Sequence, residues 1–389
     1  MKIPLVKSTF YRERDTLEHL EQFINERHKQ LSMGEQCAAF ESAFAHKQGR
    51  KHAVLVSSGG AANLGLLQSL KNLRILDTGA RIGFSSVTWS TNVMPIIQLG
   101  FIPVPLDVQP NTLNLSIDSV LRNIETLDAV FVTNALGFCT DLKRLQYICA
   151  ANDVLLIEDN CESLGTETDD EMKTGNAGLA STFSFYVAHH LSTIEGGMVC
   201  TDSDALADML RIVRSNGWDR DVSSGRRSEL RSEYSVDTFN ALYTFYALAY
   251  NLKPTEITGV IGCTQMKYYD EIMQRRESNY MEIARVIRGN TDLIPNADAC
   301  YTKIPAFAIP IVCNSHELRT SYLESFAAAG IETRPIISGD TTQQPYYAGY
   351  NDSTKKLTGA RYLRECGFYC GNSPEYSEED IQTIIGCIE

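Results

Sequence analysis

The chain of 389 residues lacks several things, and each absence narrows what it can be. No run of about 18 apolar residues occurs, so no transmembrane helix is expected. No two cysteines stand in Cys-x-x-Cys spacing; among the eleven, Cys366 and Cys370 come nearest, with three residues between them. Zinc and iron–sulfur sites need clustered ligands, so no metal is expected and the thiols read as reduced and mostly buried. Positive charge is outnumbered, 35 Lys and Arg against 48 Asp and Glu, for a net charge of −13. That argues against nucleic acid or an anionic membrane as partner, while a local basic pocket could still take a small anion. The segment Met1-Lys-Ile-Pro-Leu-Val-Lys7 is too short and too charged for a signal peptide, which gives a cytoplasmic expectation. Lysine, finally, is missing from Thr174 to Leu252.

What is present is ordinary globular material, 43% hydrophobic and 21% charged, long enough for a large core and about two domains. Short apolar runs read as buried strands at Ala53–Val56, Ile82–Phe84, Ile102–Leu106, Ala129–Val132, Val154–Ile157, Thr182–Phe185 and Met198–Cys200. Helical stretches such as Ala61–Leu70, Asp141–Ala151 and Ser203–Arg214 lie between them. This alternation predicts an α/β fold with a mostly parallel central sheet covered on both faces, and ligands at the carboxyl ends of its strands. Beyond Lys253 the pattern changes. Pro254–Arg288 is mostly helical, and Pro305–Val312, His316–Ala329, Ile331–Arg334, Thr358–Cys366 and Ser377–Ile385 suggest a smaller α+β unit. The expected division is therefore 1–252 and 253–389. Thr341–Thr354 is polar and reads as a loop.

Four segments fall at strand ends. In Val54-Leu-Val-Ser-Ser-Gly-Gly-Ala-Ala-Asn63 a strand meets Gly59-Gly60 and then a helix. Close backbone approach and free N–H groups would make a phosphate cradle there, or the segment is a plain connection. Trp89 follows a strand; its ring could stack on a flat cofactor or be buried in the core. Leu155-Leu-Ile-Glu-Asp159 ends abruptly in two carboxylates. Asp159 could bond the protonated nitrogen of a pyridine ring, with Glu162 reaching the ring's hydroxyl, or Asp159 could cap a helix. The fourth is Phe183-Ser-Phe-Tyr-Val-Ala-His-His-Leu-Ser-Thr-Ile-Glu-Gly-Gly197. On extended backbone His189 and His190 would point in opposite directions, so one of them would face a ligand; otherwise both are structural. Ser184 could donate to a phosphate.

In order and spacing these segments resemble the DegT/DnrJ/StrS family of fold-type-I pyridoxal-phosphate (PLP) enzymes, mostly sugar aminotransferases. Matching stretches run nearly end to end: Ser32-Met-Gly-Glu35, Asp107-Val-Gln-Pro-Asn-Thr-Leu-Asn114, Tyr250–Gly262, Gly330-Ile-Glu-Thr-Arg-Pro-Ile-Ile337 and Gly367-Phe-Tyr-Cys-Gly-Asn372. Most members carry lysine where His189 stands, and that lysine holds PLP covalently. The version with His-His-Leu-Ser-Thr-Ile-Glu-Gly-Gly is similar to a nucleotide-sugar 3-dehydratase branch.

The resemblance implies an aspartate-aminotransferase-like fold with a smaller C-terminal domain, and a non-covalent cofactor that works as pyridoxamine phosphate (PMP) after reaction with L-glutamate. It assigns Asp159 to the pyridine nitrogen, Glu162 to the 3-hydroxyl, Trp89 to the ring face, and Gly59, Gly60 and Ser184 to the phosphate. Asn251 would reach the phosphate of a second subunit in a homodimer with shared sites. His189 would be the acid/base, with His190 one place beyond the lysine position. Trp218, Arg220 and Arg334 would contact substrate. The implied reaction removes the C3 hydroxyl of a nucleotide-linked 4-keto-6-deoxy sugar and releases ammonia. Other readings are an aminotransferase homologue, a 3-dehydrase needing an external reductase, and a silent cofactor-binding subunit. The chain departs from the branch at Gly60 and Ala61, where hydroxyl residues are usual, and at Asn216 and Ser373, where histidines are common.

Overall fold

The computed structural model describes residues 2–26, 30–169, 171–350 and 356–389. Its centre is a seven-stranded sheet of β1 (His52–Val56), β2 (Arg81–Ser85), β3 (Ile102–Leu106), β4 (Ala129–Thr133), β5 (Leu155–Asp159), β7 (Ala180–Ser184) and β8 (Gly197–Thr201). The short β6 (Glu167–Thr168) lies apart and pairs with β9 (Tyr301–Lys303). The strand order is β1-β8-β7-β5-β4-β2-β3. β8 runs antiparallel to both its neighbours, and the other pairs are parallel.

Side-chain alternation along each strand feeds two apolar layers. Val54, Phe84, Phe131, Ile157 and Val199 pack under the helices Gly59–Asn72, Ser90–Gln98 and Asp204–Arg214. Val104, Val130, Val132 and Leu156 pack with Leu142, Leu145 and Ile148 of the helix Leu142–Ala151 on the opposite side. Burial on both faces explains why these strands read as unbroken apolar runs.

Beyond residue 253 stands a three-stranded antiparallel sheet, order β10-β12-β11, of β10 (Ala308–Val312), β11 (Thr333–Arg334) and β12 (Gly367–Gly371). The helices Tyr269–Gly289, His316–Ala329, Thr358–Cys366 and Glu378–Gly386 contribute to its core. That core also takes Val87, Leu136 and Phe138 from the central sheet's loops, and Ile3 from the start of the chain. Ile3 forms a parallel bridge with Ile331, so the first residues lie on the smaller sheet. Asp107, just past β3, accepts the backbone N–H groups of Gly359 and Ala360 at 3.0 Å each and caps a helix of the C-terminal unit.

One expectation needs correcting. Residues 341–350 are not a free polar loop but two 3₁₀ turns, Thr341–Gln343 and Pro345–Tyr350. Tyr347 is buried edge-on against Phe84, with ring centroids 5.9 Å apart. Apolar ring area outweighs the polar neighbours that made the segment look solvated. The remainder of the expected loop, 351–354, lies outside the described residues.

The two units meet tightly at Gly137. Its φ is +96°, and a β-carbon there would stand 2.5 Å from the Cα of Ala306. Gly137→Ala should therefore cost about 2–4 kcal/mol, from left-handed backbone strain and forced repacking. Thermal unfolding checks this; an unchanged midpoint would contradict the close approach.

Candidate active site

The reversed strand β8 shapes the site. A parallel successor to β7 would need a crossover helix. An antiparallel one needs only a return loop, and residues 185–196 form it at the carboxyl end of β7. Phe185 N–H bonds the Gly196 carbonyl at 2.9 Å, and Thr193 N–H the Phe185 carbonyl at 2.8 Å. His189 N–H bonds the Tyr186 carbonyl at 2.8 Å, so the histidines sit in a turn and not on extended backbone.

The two rings nevertheless find different partners. His189 Nδ1 lies 2.6 Å from the Cys161 carbonyl, which can only accept, so Nδ1 carries the proton and Nε2 keeps its lone pair. Burial lowers the His189 pKa to about 4, with the nearby Arg276 charge acting the same way, so the ring is neutral at pH 7. His190 is buried, with Nε2 2.7 Å from the Pro305 carbonyl. Its environment is structural.

Alternation along β5 sends Glu158 and Asp159 to opposite faces. Glu158 is buried and accepts the N–H groups of Gly175, Ala177 and Gly178 at 2.8, 2.8 and 2.9 Å. Asp159 caps no helix, since none begins there. Its Oδ2 accepts from Asn63 Nδ2 at 2.9 Å and Asn92 Nδ2 at 2.7 Å, and its Oδ1 from Cys161 N–H at 2.8 Å. A carboxylate has about four acceptor positions. Three are filled, which leaves room for one further donor, such as a protonated ring nitrogen. Glu162 Oε2 accepts the Leu136 N–H at 3.0 Å. Burial, reinforced by the negative charge of Asp159, pushes the Glu162 pKa up to about 8.

The helix Gly59–Asn72 starts beside these groups, with Ser58 as its N-cap. A β-carbon on Gly59 would meet Ser184 Cβ at 2.7 Å and Cys161 Sγ at 3.1 Å; one on Gly60 would meet Thr91 Cγ2 at 3.1 Å. A helix N-terminus open to close approach, ringed by hydroxyl groups, fits a phosphate. Trp89 is 61% exposed, which excludes the buried-core reading. It is the N-cap residue of the helix whose Asn92 holds Asp159. Gly59, Gly60, Ser184, Asp159, Glu162 and His189 thus converge, and together they fit a phosphorylated pyridine cofactor.

Trp218, Arg220, Asn251 and Arg334 have other recorded surroundings. Trp218 stacks on Phe245 at 5.5 Å and 18°, and the Arg220 guanidinium lies 3.8 Å from the indole centroid. Asn251 is exposed and bridges to Ser215. Arg334 is exposed on β11 and pairs with Glu332. Among the departures, Asn216 takes a left-handed φ of +61°, and Ser373 is buried in a cavity wall behind His189. Sequence reasoning missed Asn63, Asn92 and the Cys161 backbone. Asn63 ends one of the segments singled out above and the other two lie within three residues of Trp89 and Asp159, but a neutral amide gives no signal until its partner is known.

Residues 12–389 match the DegT/DnrJ/EryC1/StrS aminotransferase family. The chain belongs to that family. It is 31% identical over 350 residues to the GDP-4-keto-6-deoxy-D-mannose 3-dehydratase of Escherichia coli O55:H7, covering 88% of this chain and 89% of that one. It is 28% identical over 394 residues to the enzyme of the same name from Yersinia pseudotuberculosis, covering 100% and 98%. The crystal structure of GDP-4-keto-6-deoxymannose-3-dehydratase with a trapped PLP–glutamate geminal diamine has a TM-score of 0.89 at 27% identity, with both chains fully covered. The fold expected from the sequence, aspartate-aminotransferase-like with a mostly parallel central sheet, is the fold found.

The Glu162 shift has a sign that can be measured. A raised acid pKa means that the folded protein holds a proton the unfolded chain has lost, so stability falls as pH rises from the ordinary carboxyl value toward about 8. Glu162→Gln mimics the protonated form. It should raise the thermal midpoint of the cofactor-free protein at pH 9 and leave it little changed at pH 5. An equal shift at both values would contradict the burial argument.

Proposed function

We propose that this protein is a PLP/PMP-dependent 3-dehydratase that removes the C3 hydroxyl of a nucleotide-linked 4-keto-6-deoxy sugar, consumes L-glutamate and releases ammonia. The GDP-linked sugar in the names of its relatives is the proposed substrate. One observation carries the reading. In the loop after β7, at the position where most of the family carries lysine, stands His189, neutral, with Nδ1 fixed on a carbonyl and a lone pair on Nε2. The two lysines that flank the lysine-free stretch are engaged elsewhere. Lys173 Nζ bonds the Lys47 carbonyl at 3.0 Å, and Lys253 lies 5.9 Å from the Trp218 ring.

When bound, PLP, loaded as PMP by glutamate, supplies an electron sink joined to the sugar's C4 carbon. Asp159 would keep the ring nitrogen protonated, Glu162 would meet the 3-hydroxyl, and Trp89 would cover the ring face. The N-terminus of the helix Gly59–Asn72 and Ser184 would hold the phosphate. His189 Nε2 would accept the proton lost by the reacting carbon, and the imidazolium would return it to the departing C3 hydroxyl, which leaves as water. Trp218, Arg220 and Arg334 remain proposed substrate contacts.

The working division is 1–252 and 253–389, with the first residues packed on the second unit. No helix among the described residues is long and apolar enough to cross a membrane, and a cytoplasmic location is proposed. Assembly as a homodimer with shared sites, Asn251 serving its partner, is supported by the exposed apolar side chains of residues 234–248. Phe239 is 80% exposed and Leu248 76%. Large apolar side chains exposed together within one short stretch are a mark of interaction sites.

Three measurements test this. Borohydride reduction of the PLP-loaded protein should leave no pyridoxyl-lysine on peptide mapping, and His189→Asn should lose dehydration by about 10²-fold or more while still binding PLP. A stoichiometric lysine adduct, or full activity in His189→Asn, would sink the proposal. Light scattering at assay concentration should give a dimer; an active monomer would contradict shared sites.

A further inference from the structure

Arg276, in the helix Tyr269–Gly289, is only 5% exposed. Among the described residues no carboxylate pairs with it, and its Nε is buried without an acceptor. Holding an unpaired ion inside a protein costs several kcal/mol, so a space-filling role alone would be better served by a neutral side chain. What the guanidinium does have is a fork of backbone carbonyls. Nη1 donates to Asn372 at 2.8 Å and to Phe307 at 2.9 Å, and Nη2 to His189 at 3.4 Å. Asn372 Nδ2 bonds back to the Arg276 carbonyl at 3.0 Å and to Ala306 at 2.7 Å, which fixes the clamp from below.

These bonds form two branches from Arg276, one ending on Glu162 and one on Asp159. Glu162 accepts from Leu136 N–H, and the Leu136 carbonyl accepts from Phe307 N–H at 3.0 Å. Arg276 donates to the Phe307 carbonyl on one side and to the His189 carbonyl on the other, His189 Nδ1 donates to the Cys161 carbonyl, and Cys161 N–H to Asp159. The Phe307 ring also packs 5.2 Å from the His189 ring. Every member but Arg276 is a site residue or its immediate backbone support. A planar fork can span three carbonyls, and a lysine ammonium cannot do so in the same geometry.

We propose that Arg276 is a positioning residue: by holding the carbonyl of His189 it fixes where that imidazole stands relative to Asp159 and Glu162. The inference rests on the reading of His189 as the acid/base. The charge has a second effect. The groups acting on the His189 ring are Asp159 and Cys161 from the β5 end, Tyr186 and His190 from its own loop, and Phe307 and Arg276 from the C-terminal unit. Of these, the Asp159 charge favours protonation of His189, and the Arg276 charge opposes it. Removing the charge should therefore raise the proton affinity of His189.

The test compares Arg276→Met, Arg276→Lys and His189→Asn in the full-length protein, with PLP, glutamate and GDP-4-keto-6-deoxy-D-mannose. Arg276→Met should lose about 10²-fold in kcat with PLP affinity altered less than about threefold, as misplacement of a reacting group does. The acid limb of its pH profile should move up. Arg276→Lys should keep the acid limb of the wild type and lose about tenfold in kcat. A readout without cofactor is the imidazole signal of His189 in ¹⁵N-histidine-labelled protein, assigned by its loss in His189→Asn. It should show the Nδ1–H form in the wild type and broaden or shift in Arg276→Met. Wild-type kcat with an unmoved signal in Arg276→Met would overturn the inference. So would a loss that disappears at saturating PLP. If Arg276→Met does not fold, the same wild-type outcome in Arg276→Lys overturns it. Inactive His189→Asn beside normal Arg276 variants sinks this inference alone; full activity in His189→Asn sinks the reading of His189 as well.

Discussion

The site depends on how two adjacent carboxylates at the end of β5 are kept apart. Strand alternation sends Glu158 into the interior, where the N–H groups of the 175–178 segment surround it. Burial raises its proton affinity, and those N–H groups pull it back down. The segment it anchors leads directly into β7, and β7 leads into the histidine loop. Asp159, on the other face, is left to the site and is steadied by Asn63 from the helix after β1 and Asn92 from the helix after β2. One strand end thus ties together three other segments: 175–178 before β7, the helix after β1 and the helix after β2.

Two titratable groups in the site are moved in opposite directions. Burial raises Glu162 to about 8 and lowers His189 to about 4. At neutral pH the acid keeps its proton and the imidazole lacks one.

Much of the fold was legible because parallel strands buried on both faces leave continuous apolar runs, and the seven strands of the central sheet follow those runs closely. The reversal of β8 was not legible: Gly197–Thr201 has the same composition whichever way it runs. Tyr347 was hidden among polar neighbours. In the site, charged and glycine residues at strand ends announced themselves, whereas Asn63, Asn92 and Arg276 did not. Asn63 and Asn92 act by donating to a group far away in sequence. Arg276 lies in a helix whose pattern looks like ordinary packing. The histidine pair was legible as a pair, but only the Cys161 and Pro305 carbonyls distinguish its members.

The Asp107 cap bears on how this chain can be rearranged. A residue of the central sheet completes a helix some 250 positions later, and the opening residues complete the sheet beside that helix. Neither half ends where the other begins. Gene fusions that exchange everything after residue 252 between relatives would bring in a helix Thr358–Cys366 whose cap belongs to the discarded parent, and a sheet whose edge was lent by the other parent's first residues. Chimeras of this family should therefore tolerate crossovers inside surface loops of either unit better than a clean swap of halves.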